Sequence, residues 1–223
     1  MATIAIVGGA GQIARLLHPR LLHAGHRPRA LVRRPEQAEE LAATGVDTRL
    51  FDIENDGDDA LRSALRGADA VVFAAGGGPD GSVERKQTVD LEGSLRSIAA
   101  AQALGVARFV QVSAIDVDEP VAEEAGDVWR AYVAAKRDAD AALRATDLSW
   151  TILRPGRLTD SPGSGRIILD RDVERSDIPR EDVAATIAAV LDDGRAVRHQ
   201  WNLVAGSTPI LEAVTEATRD EPW

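Results

Sequence analysis

Apolar and polar positions follow two alternating periods along this chain. Short β-branched and apolar runs at Thr3–Val7, Arg29–Arg33, Thr48–Asp52, Ala70–Ala74, Arg108–Ser113 and Ser149–Arg154 read as strands. Helical patterns fill the intervals at Gln12–Ala24, Glu36–Thr44, Asp58–Arg66, Val83–Leu104 and Asp127–Thr146. The runs Ala70-Val71-Val72-Phe73-Ala74 and Phe109-Val110-Gln111-Val112 are almost continuously apolar, as expected of strands covered on both faces. Strand and helix in alternation predict a doubly wound parallel sheet with helices on both sides, a three-layer α/β/α architecture.

The pattern changes after Pro155. Residues 157–165 are rich in Gly, Pro, Ser and Asp and read as a loop. Strands are expected at Arg166–Leu169, near Ser176–Ile178 and at Gln200–Val204, and helices at Arg180–Leu191 and Pro209–Thr218. The length of 223 residues fits one domain over 1–223, with 157–223 supplying a small substrate-side region.

The turn between the first strand and the first helix carries Gly8-Gly9-Ala10-Gly11-Gln12-Ile13-Ala14. Glycine here permits a tight turn and close approach of a pyrophosphate, and the helix that follows offers free N–H groups and the positive end of its dipole. The position between a strand and a helix is the context that gives this motif its meaning, and it predicts dinucleotide binding. An acidic residue at the end of the second strand would bind the ribose hydroxyls of NAD. Arg33 and Arg34 stand there instead, and guanidinium forks suit a 2′-phosphate, so NADP(H) is expected over NAD(H).

Composition narrows the partners. A formal net charge of −10 argues against nucleic acid, and the absence of cysteine excludes disulfides and thiol chemistry. No stretch reaches the roughly 18 apolar residues that a membrane span needs. The run Thr3–Val7 is too short for a signal-peptide core, so a soluble cytoplasmic protein is expected. His18, His23 and His26 do not share one helix face and read as polar surface rather than a metal site. The acidic run Asp116, Asp118, Glu119, Glu123, Glu124 reads as a solvated loop. Trp150 and Trp201 read as packing residues, whereas Trp129 lies close enough to Tyr132 to edge a pocket.

Tyr132 is the only tyrosine, and it lies four residues before Lys136, one of two lysines. That spacing puts phenol and ammonium on one helix face, where the phenol can act as acid or base and the ammonium lowers its pKa. Basic residues are otherwise arginine, so a lysine here suggests a role for a compact, tunable charge.

These residues resemble the short-chain dehydrogenase/reductase superfamily, and more narrowly its atypical, NAD-dependent epimerase/dehydratase-like members. The resemblance covers nearly the whole chain. It rests on the glycine loop, Phe51-Asp52-Ile53, Ala74-Ala75-Gly76, Val112-Ser113-Ala114, Tyr132-x-x-x-Lys136 and Leu153-Arg154-Pro155-Gly156. It implies a Rossmann-type sheet and a set of roles. Asp52 would hydrogen-bond the adenine with Ile53 beside it, and Ala74, Ala75 and Gly76 would line the adenosine ribose. Lys136 would hold the nicotinamide ribose, and Pro155 and Gly156 would contact the nicotinamide. Ser113 would orient a carbonyl, Tyr132 would move its proton, and Asp90 would anchor the relay.

The function expected is an NADP(H)-dependent oxidoreductase acting on a small carbonyl, quinone or flavin-like molecule, or an epimerase or dehydratase built from the same parts. The alternative is a non-catalytic NADP(H)-binding redox sensor that acts through a protein partner. It needs the glycine loop, Arg33 and Arg34 but neither Tyr132 nor Lys136, so the intact pair favours the enzyme. The Asp127–Thr146 helix is a candidate homodimer face, and no metal site is expected.

Overall fold

The computed structural model describes residues 1–78, 82–122 and 124–223. Glu123, part of the acidic run, lies outside the described residues. The elements in chain order are β1 (Thr3–Val7), α1 (Gln12–His23), β2 (Arg27–Val32), α2 (Pro35–Ala42), β3 (Asp47–Leu50), α3 (Asp58–Leu65) and β4 (Ala70–Phe73). Then follow α4 (Val83–Arg85), a π-helical turn (Lys86–Glu92), α5 (Gly93–Leu104), β5 (Arg108–Val112), α6 (Asp127–Arg144) and β6 (Ser149–Pro155). The chain continues through β7 (Arg157–Thr159), β8 (Arg166–Asp170), β9 (Asp177–Pro179), α7 (Arg180–Asp192), β10 (His199–Ala205), β11 (Thr208–Pro209) and α8 (Ile210–Ala217).

Nine strands form one sheet in the order β11-β8-β10-β6-β5-β4-β1-β2-β3. The pairs from β10 to β3 are parallel, and β8 runs antiparallel to β10 and β11. Side chains alternate between the faces of a strand, and both faces here are apolar. Ile4, Ile6, Val72 and Val110 pack with α1, α7 and α8 on one side, whereas Ala5, Val7, Phe73 and Phe109 pack with α3, α5 and α6 on the other. This is the doubly wound α/β sheet that the alternation predicted.

Two local departures shape the cleft. The predicted helix Val83–Leu104 is interrupted by the π-turn, which widens the helix where Lys86 and Asp90 project. The predicted loop after Pro155 contains β7, because Leu158 is apolar and pairs in register with Ile178 of β9. No helix among the described residues is long and apolar enough to cross a membrane.

Candidate functional site

The polypeptide leaves β1 and turns sharply at Gly8, whose φ of 84° suits glycine. A Cβ there would also lie 2.7 Å from the Ala75 backbone, so the loop rests directly on the end of β4. Gly11 N–H donates to Gly8 O at 2.9 Å and closes the turn. Helix α1 then starts with no side-chain cap and no acidic residue in its first turn. Its first N–H groups therefore have no side-chain acceptor, and they face a cleft lined by Ala10, Gly11, Gln12 and Ile13. Gly9 does not line this cleft. It packs against Ala30, with its N–H on Leu31 O at 3.0 Å, because the loop crosses β2 there.

His18 corrects an expectation of polar surface. It is 2% exposed beneath the loop, with Nε2 2.7 Å from Gly9 O. Burial lowers its pKa, so the neutral ring donates to that carbonyl and supports the loop from below.

The cleft runs over the C-terminal ends of β1 and β4, where crossovers leave in opposite directions. At one end a cavity of about 340 Å³ is lined by Gly8, Arg33, Asp52, Ile53 and Gln37. Arg33 forms no ion pair among the described residues and is exposed to the cavity. Arg34, the N-cap residue of α2, does not line it. Asp52 accepts from Asn55 Nδ2 at 2.9 Å and Glu54 N–H at 3.0 Å, and these bonds lower its pKa. Gln37, which sequence reasoning missed, has a buried Oε1 with no hydrogen-bond partner.

Ala74, Ala75 and Gly76 line both ends of the cleft and join this cavity to a larger one of about 950 Å³. Tyr132, Lys136, Ser113, Asp90, Pro155 and Gly156 meet there. Among the described residues of 116–127, Gly126 alone reaches the wall. Gly156 must be glycine, because a Cβ would lie 1.9 Å from Ser176 O.

Helix α6 brings Tyr132, Lys136 and Asp140 to one face at intervals of four. Lys136 Nζ donates to Val112 O at 3.1 Å and lies 3.4 Å from Asp90 Oδ1. Asp90 accepts Gly77 N–H at 2.8 Å through Oδ2, while its buried Oδ1 accepts no hydrogen bond among the described residues and faces the ammonium at 3.4 Å. Burial opposes the Lys136 charge, but Tyr132, Asp90 and Asp140 outweigh it and raise the ammonium's pKa.

Tyr132 departs from expectation. Lys136 does pull its pKa down, but burial is the larger influence and the phenol lies above its ordinary value of 10. It is a protonated phenol at neutral pH.

Asp140 was not singled out from the sequence, although its spacing from Lys136 is the same as that of Lys136 from Tyr132. It is fully buried and accepts from Ser113 Oγ at 2.7 Å, Gln111 Nε2 at 2.7 Å and Arg154 Nε at 2.9 Å. Burial pushes its pKa up, and Arg154, Ser113 and Gln111 pull against that. Arg154 also donates to Asp118 at 2.5 Å. The Ser113 hydroxyl hydrogen is thus committed to Asp140, and its Oγ presents lone pairs to the cleft. Lys86 was also missed. Its Nζ lies 5.3 Å from the Tyr132 ring centroid, so both lysines of the chain lie within 6 Å of its one tyrosine ring. Trp129 stands at the rim, 5.4 Å from the Tyr132 ring.

A glycine turn with no room for a Cβ, an uncapped helix start, the unpaired Arg33 and the orphaned Gln37 amide together fit a nicotinamide dinucleotide. A family model described as NAD(P)H-binding matches residues 8–194. The chain is 36% identical over 210 residues to the Bacillus subtilis (strain 168) protein named "Uncharacterized sugar epimerase YhfK", covering 94% of this chain and 97% of that one. A solved Bacillus halodurans structure described as an NAD-dependent epimerase/dehydratase superposes with a TM-score of 0.89 at 33% identity, covering 97% and 100% of the two chains. The oxidoreductase ylbE from Lactococcus lactis superposes with a TM-score of 0.85 at 27% identity, covering 98% and 97%. With its glycine turn, its Tyr132–Lys136 pair and its sheet order all of one kind, the chain belongs to the NAD(P)H-binding family, among short-chain dehydrogenase/reductase proteins of the epimerase/dehydratase-like type.

Proposed function

We propose that this protein is an NADP(H)-dependent oxidoreductase that reduces a carbonyl or quinone. The observation that carries the reading is the protonated Tyr132 phenol, which opens onto the same cleft as the glycine turn and is held beside Lys136. When bound, the reduced dinucleotide supplies a hydride for the carbonyl carbon. Tyr132 holds the proton that the carbonyl oxygen needs, so NADPH, H⁺ and C=O are converted to NADP⁺ and CH–OH in balance.

The remaining residues bind and orient. The N–H groups at the start of α1 take the pyrophosphate, and Arg33 takes the 2′-phosphate, which sets NADP(H) above NAD(H). Asp52, Ile53, Ala74, Ala75 and Gly76 form the adenosine wall, and Pro155 and Gly156 the nicotinamide wall. Lys136 keeps donors for ribose hydroxyls and favours ionisation of the phenol as its proton leaves, and Asp90 holds Lys136 in place. Ser113 can accept a hydrogen bond from the phenol or a product alcohol, because its own hydrogen is spent on Asp140.

The experiment is NADPH oxidation by the purified protein against a panel of aldehydes, ketones and quinones, with products identified by mass. A product heavier by two hydrogens is expected. No turnover on any member, together with redox-dependent capture of a protein partner, would favour the sensor reading.

A further inference from the structure

Lys86 opens the π-turn and is 6% exposed. Its Nζ makes one hydrogen bond among the described residues, to Gly78 O at 2.7 Å. No carboxylate among the described residues comes within ion-pair distance of it. The other cations of the larger cavity differ in this respect. Lys136 has Asp90 at 3.4 Å, Arg157 has Asp177 at 2.5 Å, Arg180 has Asp160 at 2.7 Å and Arg175 has Asp116 at 3.7 Å. An ammonium removed from water with one carbonyl and no counter-charge among the described residues is costly, unless a ligand supplies a charge.

Its location says which ligand. Lys86 lines the cavity at the Tyr132 ring and does not line the one at Arg33 and Asp52. The phosphate positions at the start of α1 and at Arg33 belong to other residues. Besides Lys86 the wall carries four cations, each ion-paired, and the carboxylate Asp90, in a chain whose net charge is −10. Apolar surface from Trp129, Val128 and Ile115 lies alongside.

We propose that Lys86 anchors the substrate through an oxyanion, so that the substrate is an anionic carbonyl compound, with a carboxylate or phosphate on Lys86 and an apolar body against Trp129. This rests on the carbonyl-reductase reading of the same cleft. The cavity wall at Lys86 is then a specificity pocket for charge, and the π-turn that Lys86 opens places it there.

The test is titration of the NADP⁺-loaded protein with phenylglyoxylate, phenyl phosphate and methyl phenylglyoxylate, read by tryptophan fluorescence and by calorimetry. Wild type, Lys86→Met and Lys86→Arg are compared, with NADP⁺ affinity measured for each. At least one of the two anions is expected to bind wild type more tightly than the neutral ester. Lys86→Met should weaken that anion about 10–100-fold, as loss of a charge-assisted bond does, and leave the ester and NADP⁺ unchanged. Lys86→Arg should recover most of the loss, and which anion binds distinguishes carboxylate from phosphate. Replacing an unpaired buried charge by an apolar chain of similar length should leave the unfolding midpoint level or higher.

Failure of both anions to bind more tightly than the neutral ester overturns the proposal, as does equal weakening of anion and ester by Lys86→Met. Wild type that binds NADP⁺ and neither anion overturns it too. Loss of NADP⁺ affinity in Lys86→Met would assign the lysine to the cofactor instead. Absence of any NADP(H) binding by wild type would sink the oxidoreductase reading itself.

Discussion

Tyr132→Phe separates chemistry from structure in this cleft. Among the described residues the Tyr132 hydroxyl makes no hydrogen bond, so its loss leaves no protein group unpaired. The ring contacts, 5.4 Å to Trp129 and 5.3 and 5.9 Å to the two lysines, are available to phenylalanine as well. Stability should therefore change by no more than about 0.5 kcal/mol, or about 1–2 °C in a chain of this size. Turnover should fall about 10²–10⁴-fold if the phenol donates the proton, equivalent to about 3–5 kcal/mol of transition-state stabilisation. The pH dependence adds a signature. Burial holds the phenol above its ordinary value of 10, so the acid form persists through neutral pH. Reduction by wild type should be flat there and decline only above about pH 10, and the residual rate of the variant should lack that limb. The assay is kcat/KM for NADPH-dependent reduction across pH, with thermal unfolding of both proteins. A variant within about 3-fold of the wild-type rate, at an unchanged midpoint, would refute the phenol as proton donor.

Other outcomes follow from the buried groups. Asp140→Ala removes the acceptor shared by Ser113, Gln111 and Arg154 and should cost about 3–5 kcal/mol, read as a fall of about 6–20 °C in the unfolding midpoint; a fall below about 2 °C would contradict the network. Gly156→Ala drives a methyl into Ser176 O and should cost about 1–3 kcal/mol while weakening NADP⁺ binding in calorimetry; unchanged affinity would show that this turn does not shape the nicotinamide wall. Burial lowers His18, so the unfolded chain binds a proton at higher pH than the folded protein does. Its contribution is intact above about pH 6.5 and is lost as pH falls through that value. His18→Gln should flatten this part of the slope of unfolding midpoint against pH, and an identical slope would assign it to other groups.

The two-faced strands made the sheet legible, since Ala70–Phe73 is wholly apolar and Phe109–Val112 is apolar but for Gln111. The glycine turn and the Tyr132–Lys136 spacing were legible because each is a local geometric requirement. What escaped was non-local. Gly9 and Arg34 sit within the right motif, but Gly9 packs on Ala30 where the loop crosses β2, and Arg34 does not line the cavity. Asp140 lies on a helix with a strong polar face, where a carboxylate reads as solvated; only the approach of Arg154 from β6 and Ser113 from the end of β5 explains its burial. The π-turn leaves no mark in a helical pattern, and so nothing in the sequence singled out Lys86, four residues before Asp90. Strand β7 depends on Ile178, twenty residues on, for its pairing.

The most direct test of the NADP(H) cleft is calorimetric titration of NADPH and NADH into wild type, Arg33→Ala and Arg34→Ala. Tighter NADPH than NADH binding is expected, with the NADPH advantage falling about 10–100-fold in Arg33→Ala and little changed in Arg34→Ala, because Arg33 lines the cavity and Arg34 does not. Equal affinities for the two dinucleotides in wild type, or binding of neither, would contradict the account.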